Sequence, residues 1–302
     1  MKMSNDFFGM ETRSGYEVSS HMKEVWSIEI DILKEIIRIC ETHKLKYYVV
    51  GGTMLGAVRH KGYIPWDDDI DVSLLRKDFN KFQTLTQGEL KHPFFLKTTE
   101  TDIGYYSNSI YVCNSDTTGL EDNPNNKVQM FNKGISIGIS SIDSCNPNIN
   151  YARMFRLYIR VNALLANIYV GFNTWEISKY IKIILKLIGY NHVRAWKKLQ
   201  YRITKYDRKW SRSGKVATFT PVVQKFNKVF WDKEDYSNVL NMDFEYMKVH
   251  VPKGFHNILS SQFGEYMKLP PTEKRKPTHN VHFEPQTPYK EYCSEKYGIK
   301  YD

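Results

Sequence analysis

This 302-residue chain has no apolar run of about eighteen residues, so no segment is expected to cross a membrane as a helix. The first twenty residues include Asn5, Asp6, Glu11 and Arg13 and contain no apolar stretch, so no secretory signal is expected. Cysteine is scarce and scattered. Cys40, Cys113, Cys145 and Cys293 lie far apart and show no C-x-x-C spacing, for which reduced thiols in a cytosolic protein are the simplest reading. Composition is otherwise ordinary for a globular protein, with 41% hydrophobic and 25% charged residues, and the length suffices for a core that needs no staples.

Charge is unevenly placed. The chain carries +10 overall, but residues 151–215 hold fifteen Lys and Arg against Glu176 and Asp207, so that segment is +13 and the remainder is −3. Phe155, Ile159 and Ala163, then Ile181, Ile184, Leu185 and Ile188, recur at helical spacing, and Gly171 and Gly189 are natural breaks. This predicts basic helices over 152–170, 175–189 and 193–211. One reading is contact with an anionic membrane surface or a lipid-linked acceptor; the other is a solvated helical subdomain. Basic patches also bind nucleic acid, but no nucleic-acid motif accompanies this one, so that partner is not expected.

The densest chemistry lies between residues 47 and 72. An apolar run ends at Val50, Gly51-Gly52-Thr53 follows, and a second apolar run carries Asp67, Asp68, Asp69 and Asp71. A Gly-Gly pair between a strand and a helix lets a phosphate approach the backbone and meet the free N–H groups of the helix start. Thr53 is a candidate to cap that helix or to donate its hydroxyl to the phosphate. If Asp69 and Asp71 share a strand, they face the same way with Cα atoms about 7 Å apart. Two such carboxylates repel unless a cation joins them, and oxygen-only ligands select a hard ion, Mg²⁺ or Mn²⁺. Phosphate on the glycines and metal on the aspartates together suit phosphoryl transfer.

The segment from Val50 to Val72 closely resembles the LicD family, relatives of the fukutin proteins within the nucleotidyltransferase superfamily. The superfamily pattern is met by Val50, Gly51, Gly52, Asp69 and Asp71; the narrower family run is met by Arg59, His60, Gly62, Pro65, Trp66, Asp67, Asp68 and Asp69. A second block, Val251-Pro252-Lys253-Gly254-Phe255 and then Phe263 to Arg275, also resembles the family, with His279 beyond it. The resemblance implies an α+β fold, a small mixed sheet flanked by helices with a basic helical insertion. It implies an enzyme that moves a phospho-substituent, phosphocholine or a polyol phosphate, from a CDP-linked donor to a hydroxyl of a cell-surface glycan or its lipid-linked precursor.

In that scheme Asp69 and Asp71 hold the metal, and Gly51, Gly52 and Thr53 hold a phosphate. Arg59 suits bidentate phosphate contact, whereas His60 balances charge, caps the helix or stacks under Trp66. Asp67 or Asp68 is the general base or an acid that fixes the ligands. In the tail, Lys274, Arg275 and His279 are candidates to close over the substrate phosphates.

One departure matters. The superfamily completes its metal site with a third acid on a later strand, and the matching stretch here, Gly134 to Asp143, has Gly138 at that place. Three alternatives stand: Asp143 serves from the strand end, Asp67 or Asp68 completes the shell, or catalysis is weakened. A true nucleotidyltransferase and an inactive nucleotide- or glycan-binding module therefore remain alternatives.

Other elements follow from periodicity. Val25, Ile28, Ile32, Ile36 and Ile39 predict a helix over 20–42 leading into a strand at 47–50. A helix is expected near 76–87, strands at 94–98, 107–113 and 134–142, and a surface-wrapping tail from Pro270. The division expected is a catalytic core over 1–150, the basic insertion over 151–215, and a C-terminal part over 216–302 that completes the catalytic domain. The protein is expected in the cytoplasm, attached peripherally to the cytoplasmic membrane face if the basic segment binds lipid.

Overall fold

A computed structural model describes residues 5–102, 104–121, 126, 129–171, 175–219, 225–277 and 279–301. After a 3₁₀ helix at Asn5–Phe8, a short hairpin, β1 (Glu11–Arg13) and β2 (Tyr16–Val18), leads into α1 (Ser20–Thr42). The Ser19 hydroxyl caps α1 by accepting the Met22 N–H at 3.1 Å, and Val25, Ile32, Ile36 and Ile39 are fully buried along one face. There follow β3 (Tyr47–Val49), α2 (Gly51–His60), β4 (Asp71–Leu75), α3 (Arg76–Glu89), β5 (Phe94–Lys97), β6 (Ile110–Asn114), β7 (Thr118–Glu121) and β8 (Ser136–Ser144). Next come α4 (Ile149–Val170), α5 (Glu176–Leu187), α6 (His192–Lys209), β9 (Lys215–Ala217) and β10 (Phe230–Asp232). The chain closes with β11 (Val239–Phe244), β12 (Met247–Pro252), α7 (Phe255–Phe263), β13 (Val281–Glu284) and α8 (Tyr289–Tyr297).

Seven strands form one mixed sheet in the order β10-β9-β8-β4-β3, with β6 pairing the first half of β8 and β5 pairing β6. Only β4 and β8 run parallel; the other pairs are antiparallel. The α+β expectation holds. Ile135, Ile137 and Ile139 alternate into the core as predicted, each at most 1% exposed.

Differences from the sequence reading concern non-local pairing. β3 ends at Val49, because Val50 turns into α2, so its register with β4 begins at Val72, and beyond it Val50 N–H bonds Asp71 O at 3.1 Å. Asp69 therefore precedes β4, and the acids do not share a regular strand as expected. Asp67 N–H instead bonds Ile64 O at 2.8 Å in a turn, and the Trp26 indole holds Asp67 O at 3.1 Å. The tail from Pro270 does more than wrap the surface: β13 pairs with β7, and Cys293 of α8 packs with Leu120 and Ile299.

The helices α4 and α6 pack together, and α6 lies on β8. Its anchors are specific. Asp207 accepts the Ser144 N–H at 2.7 Å, and the Trp196 indole donates to Ser107 O at 2.8 Å. A buried ion pair joins Arg76, where α3 starts, to Asp143 on β8, with Ser141 and Gln200 accepting further guanidinium bonds.

Candidate active site

The first turn of α2 organises the site. Gly51 has φ +57°, the left-handed region that glycine adopts without steric cost, and a Cβ there would lie 3.3 Å from Asp71 Oδ2. A Cβ on Gly52 would lie only 2.4 Å from Asp67 Oδ2. Two carboxylates thus close against the helix start, whose unpaired N–H groups carry positive partial charge. Thr53 is buried, and its Oγ1 accepts the Asp71 N–H at 2.8 Å. It neither caps α2, where Val50 is the N-cap, nor faces the cavity; it fixes the start of β4.

Asp67, Asp68, Asp69 and Asp71 all line one cavity of about 1200 Å³, together with Gly51, Gly52 and Arg59. Its far wall is the second family-like block, Phe263 to Pro271, and His279. Arg59 connects the two, donating to Tyr266 O at 2.8 Å and Lys268 O at 3.4 Å. His279 Nδ1 lies 3.1 Å from Asp68 Oδ1 and 3.8 Å from Asp69 Oδ2. The remaining candidates lie off this cavity. His60 meets Trp66 edge-on at 82° instead of stacking beneath it, and accepts a hydrogen bond from Arg59. Arg275 is a strut between Pro270 O and Ser14 O, over the Trp66 ring, and Lys274 is exposed on a neighbouring turn. Neither residue lines the cavity.

Crowding shows in the acid–base properties. Asp71 opens to water inside the cavity, yet burial by the surrounding walls and the neighbouring Asp69 push its carboxyl up to about 7, against the pull of His279. Burial, then Asp69, Asp68 and Asp71, push Asp67 well above the carboxylate range, and burial raises Asp69. His279 is pushed up to about 9, chiefly by its hydrogen bond to Asp68, with Asp69 adding to it. His60 falls to about 4 through burial and the adjacent Arg59.

The donor set fits a divalent cation. Asp68, Asp69 and His279 each offer a ligand atom within 4.8 Å of one another, and Asp71 adds a carboxylate whose proton affinity is already high. Gly138 lies directly across from Asp71 in the β4–β8 register. A Cβ there would lie 3.4 Å from Tyr111 Cε1 and 3.6 Å from Asp71 Oδ1, so the missing acid leaves a position that borders the cluster. Asp143 does not stand in for it. It is fully buried against Arg76, five residues further along β8, about 16 Å away at strand rise.

Three groups escaped the sequence reading. Glu29 lies on the buried face of α1 and lines the cavity, its Oε2 accepting the Tyr63 hydroxyl at 2.8 Å. The one signal was an acid among apolar α1 positions. Lys97 and Lys133 are buried and also line the cavity. Lys97 Nζ lies 5.1 Å from the ring centroids of Tyr105 and Tyr111 and 5.6 Å from that of Phe131. No local sequence pattern marks either lysine.

Residues 44–132 match the family described as LicD/FKTN/FKRP, nucleotidyltransferase domain. The chain carries a LicD-family domain. The matched stretch of that LicD domain holds Gly51, Gly52 and all four aspartates, and ends before Gly138. Lipopolysaccharide cholinephosphotransferase LicD of Haemophilus influenzae is 27% identical over 260 residues, covering 85% of this chain and 96% of that protein. Ribitol 5-phosphate transferase FKRP of Homo sapiens is 33% identical over 54 residues, 18% of this chain and 11% of FKRP. An uncharacterized Rickettsia typhi protein, RT0683, is 39% identical over 54 residues, 18% of each chain.

Proposed function

We propose that this protein is a metal-dependent phosphotransferase that moves a phospho-alcohol group from a CDP-linked donor to a glycan hydroxyl. The observation that carries the reading is the gathering of Asp67, Asp68, Asp69 and Asp71 against the glycine-rich start of α2, within one cavity that both family-like blocks enclose. The LicD relative, matched along nearly its whole length, and FKRP both bear names of phospho-group transferases.

In the reaction proposed, the acceptor hydroxyl oxygen attacks the phosphorus that bears the alcohol. A new P–O bond forms, the bond to the cytidylate oxygen breaks, and CMP leaves with that electron pair. Asp69 and Asp71 would hold a divalent cation, Mg²⁺ or Mn²⁺, which when bound neutralises charge on the diphosphate. Gly51 and Gly52 would present backbone N–H groups to a phosphate. Asp67 is the candidate acceptor of the hydroxyl proton, because Asp68 is engaged by His279. Lys97 bears on the alcohol itself. The three rings around it would suit a quaternary ammonium, but the chain's own ammonium fills that cage, so uncharged polyol donors are expected to outrun CDP-choline. We place the acceptor on a lipid carrier at the cytoplasmic membrane face.

The test is CMP release from CDP-ribitol, CDP-glycerol and CDP-choline, with Mg²⁺ and candidate glycans. Release should vanish with EDTA and fall on the order of 10³-fold or more in Asp69→Asn and Asp71→Asn. Gly138 motivates the other readings. Nucleotide found attached to the acceptor would establish a nucleotidyltransferase. Donor binding without turnover would establish a binding module.

A further inference from the structure

We infer that α4 and α5 form a docking face for the surface of an anionic lipid bilayer. A helix facing water normally shows it a polar face. Here α5 fully buries only Ser178 and Leu185, while Ile177, Tyr180, Ile184, Leu187 and Ile188 stand outward at helical spacing. Leu187 is 81% exposed. A second outward stripe runs along α4 through Tyr151, Met154, Leu157, Val161 and Leu164. Exposed apolar stripes of this extent mark an interaction surface.

The surrounding charge selects the occupant. Arg153 and Arg160 on α4 and Lys179 and Lys186 on α5 are exposed, within a segment that carries +13. A second copy of the chain would set this positive segment against itself. Nucleic acid would satisfy the cations but leave isoleucine and leucine side chains unmatched. Anionic headgroups satisfy the cations, and the acyl boundary beneath them takes the apolar side chains. Among the described residues no helix is long and apolar enough to cross a membrane, so the face lies on the bilayer.

This face is coupled to the cavity. Ala163 and Ala166 of α4 pack with Trp196 of α6 and Tyr106, and Trp196 bonds the backbone of Ser107, a cavity-wall residue. Delivery of a lipid-linked acceptor here rests on the phosphotransferase reading; attachment of the face to lipid does not.

The experiment is cosedimentation of the full chain with phosphatidylglycerol–phosphatidylcholine vesicles and with pure phosphatidylcholine vesicles, at low and high salt. Binding is expected to the anionic vesicles alone and to weaken with salt. Paired substitutions Ile184→Asp with Leu187→Asp, and Lys179→Glu with Lys186→Glu, should each lower partitioning by ~tenfold or more. Unchanged circular dichroism and melting temperature would show that both variants fold, as their exposure leads one to expect. The inference is overturned by wild-type protein that stays in the supernatant, by variants that bind as the wild type does, or by sedimentation velocity showing that these residues hold a dimer instead. CMP release from soluble substrates should be untouched in both variants, and its absence from the wild type would count against the phosphotransferase reading alone.

Discussion

Glu29 is the residue at which stability and site chemistry meet. It is 1% exposed, and burial raises its carboxyl well above the usual value of 4.5, with the Tyr63 hydroxyl bond opposing and the Asp69, Asp68 and Asp67 charges adding to the rise. A carboxyl that is harder to ionise when folded contributes stability below its unfolded pKa and loses it as pH rises through the folded value. In the absence of divalent cations, the part of the stability that Glu29 contributes should therefore decline from about pH 4.5 upward. Glu29→Gln should remove that part, leaving the shares due to Asp67, Asp69 and Asp71. Urea unfolding across this range measures it, and superimposable pH profiles would refute the assignment. At this scale the acids and glycines were readable because they are contiguous. Glu29 and Lys97 were not, because their roles depend on Tyr63 and the acids between α2 and β4 in the one case and on Tyr105, Tyr111 and Phe131 in the other.

Among the elements, the junction of β4 and α3 with β8 and α6 turns on Arg76 and Asp143. Both are at most 3% exposed, so each charge depends on the other and on Ser141 and Gln200. Removing one partner strands a buried charge. Arg76→Met should cost about 3–5 kcal/mol in urea unfolding, and adding Asp143→Leu should recover most of it. A single variant as stable as the wild type would refute this account. Periodicity placed α1, α3 and β8 closely, because each buries one face along its whole length. It misplaced the start of β4, because pairing there depends on where β3 turns into α2, a contact between segments some twenty residues apart.

Across the whole molecule, one large core contains Cys40 and Cys145, whereas Cys293 lies in a small cluster with Leu120 and Ile299. All four thiols are free and buried, and burial pushes Cys40 and Cys145 up to about 12. Small clusters open at lower free energy than large cores. With Ellman's reagent under native conditions, Cys293 should react first, while Cys40 and Cys145 should react only at the global unfolding rate. A single common rate for all four, or early labelling of Cys40, would contradict that order. The C-terminal segment that shelters Cys293 also delivers His279 to the acids, so loosening it exposes the cavity.

Read alone, the chain specified the amphipathic helices and the identity of the four acids, because spacing and local chemistry carry that information, and its resemblance to a family implied the α+β class. Only the folded molecule showed that Asp143 is spent on Arg76 and that Gly138 borders Asp71 without a side chain. It alone set His279, over two hundred residues away, against Asp68. Those arrangements arise from strand register and from side chains meeting across the core, and neither is written in any contiguous stretch of residues.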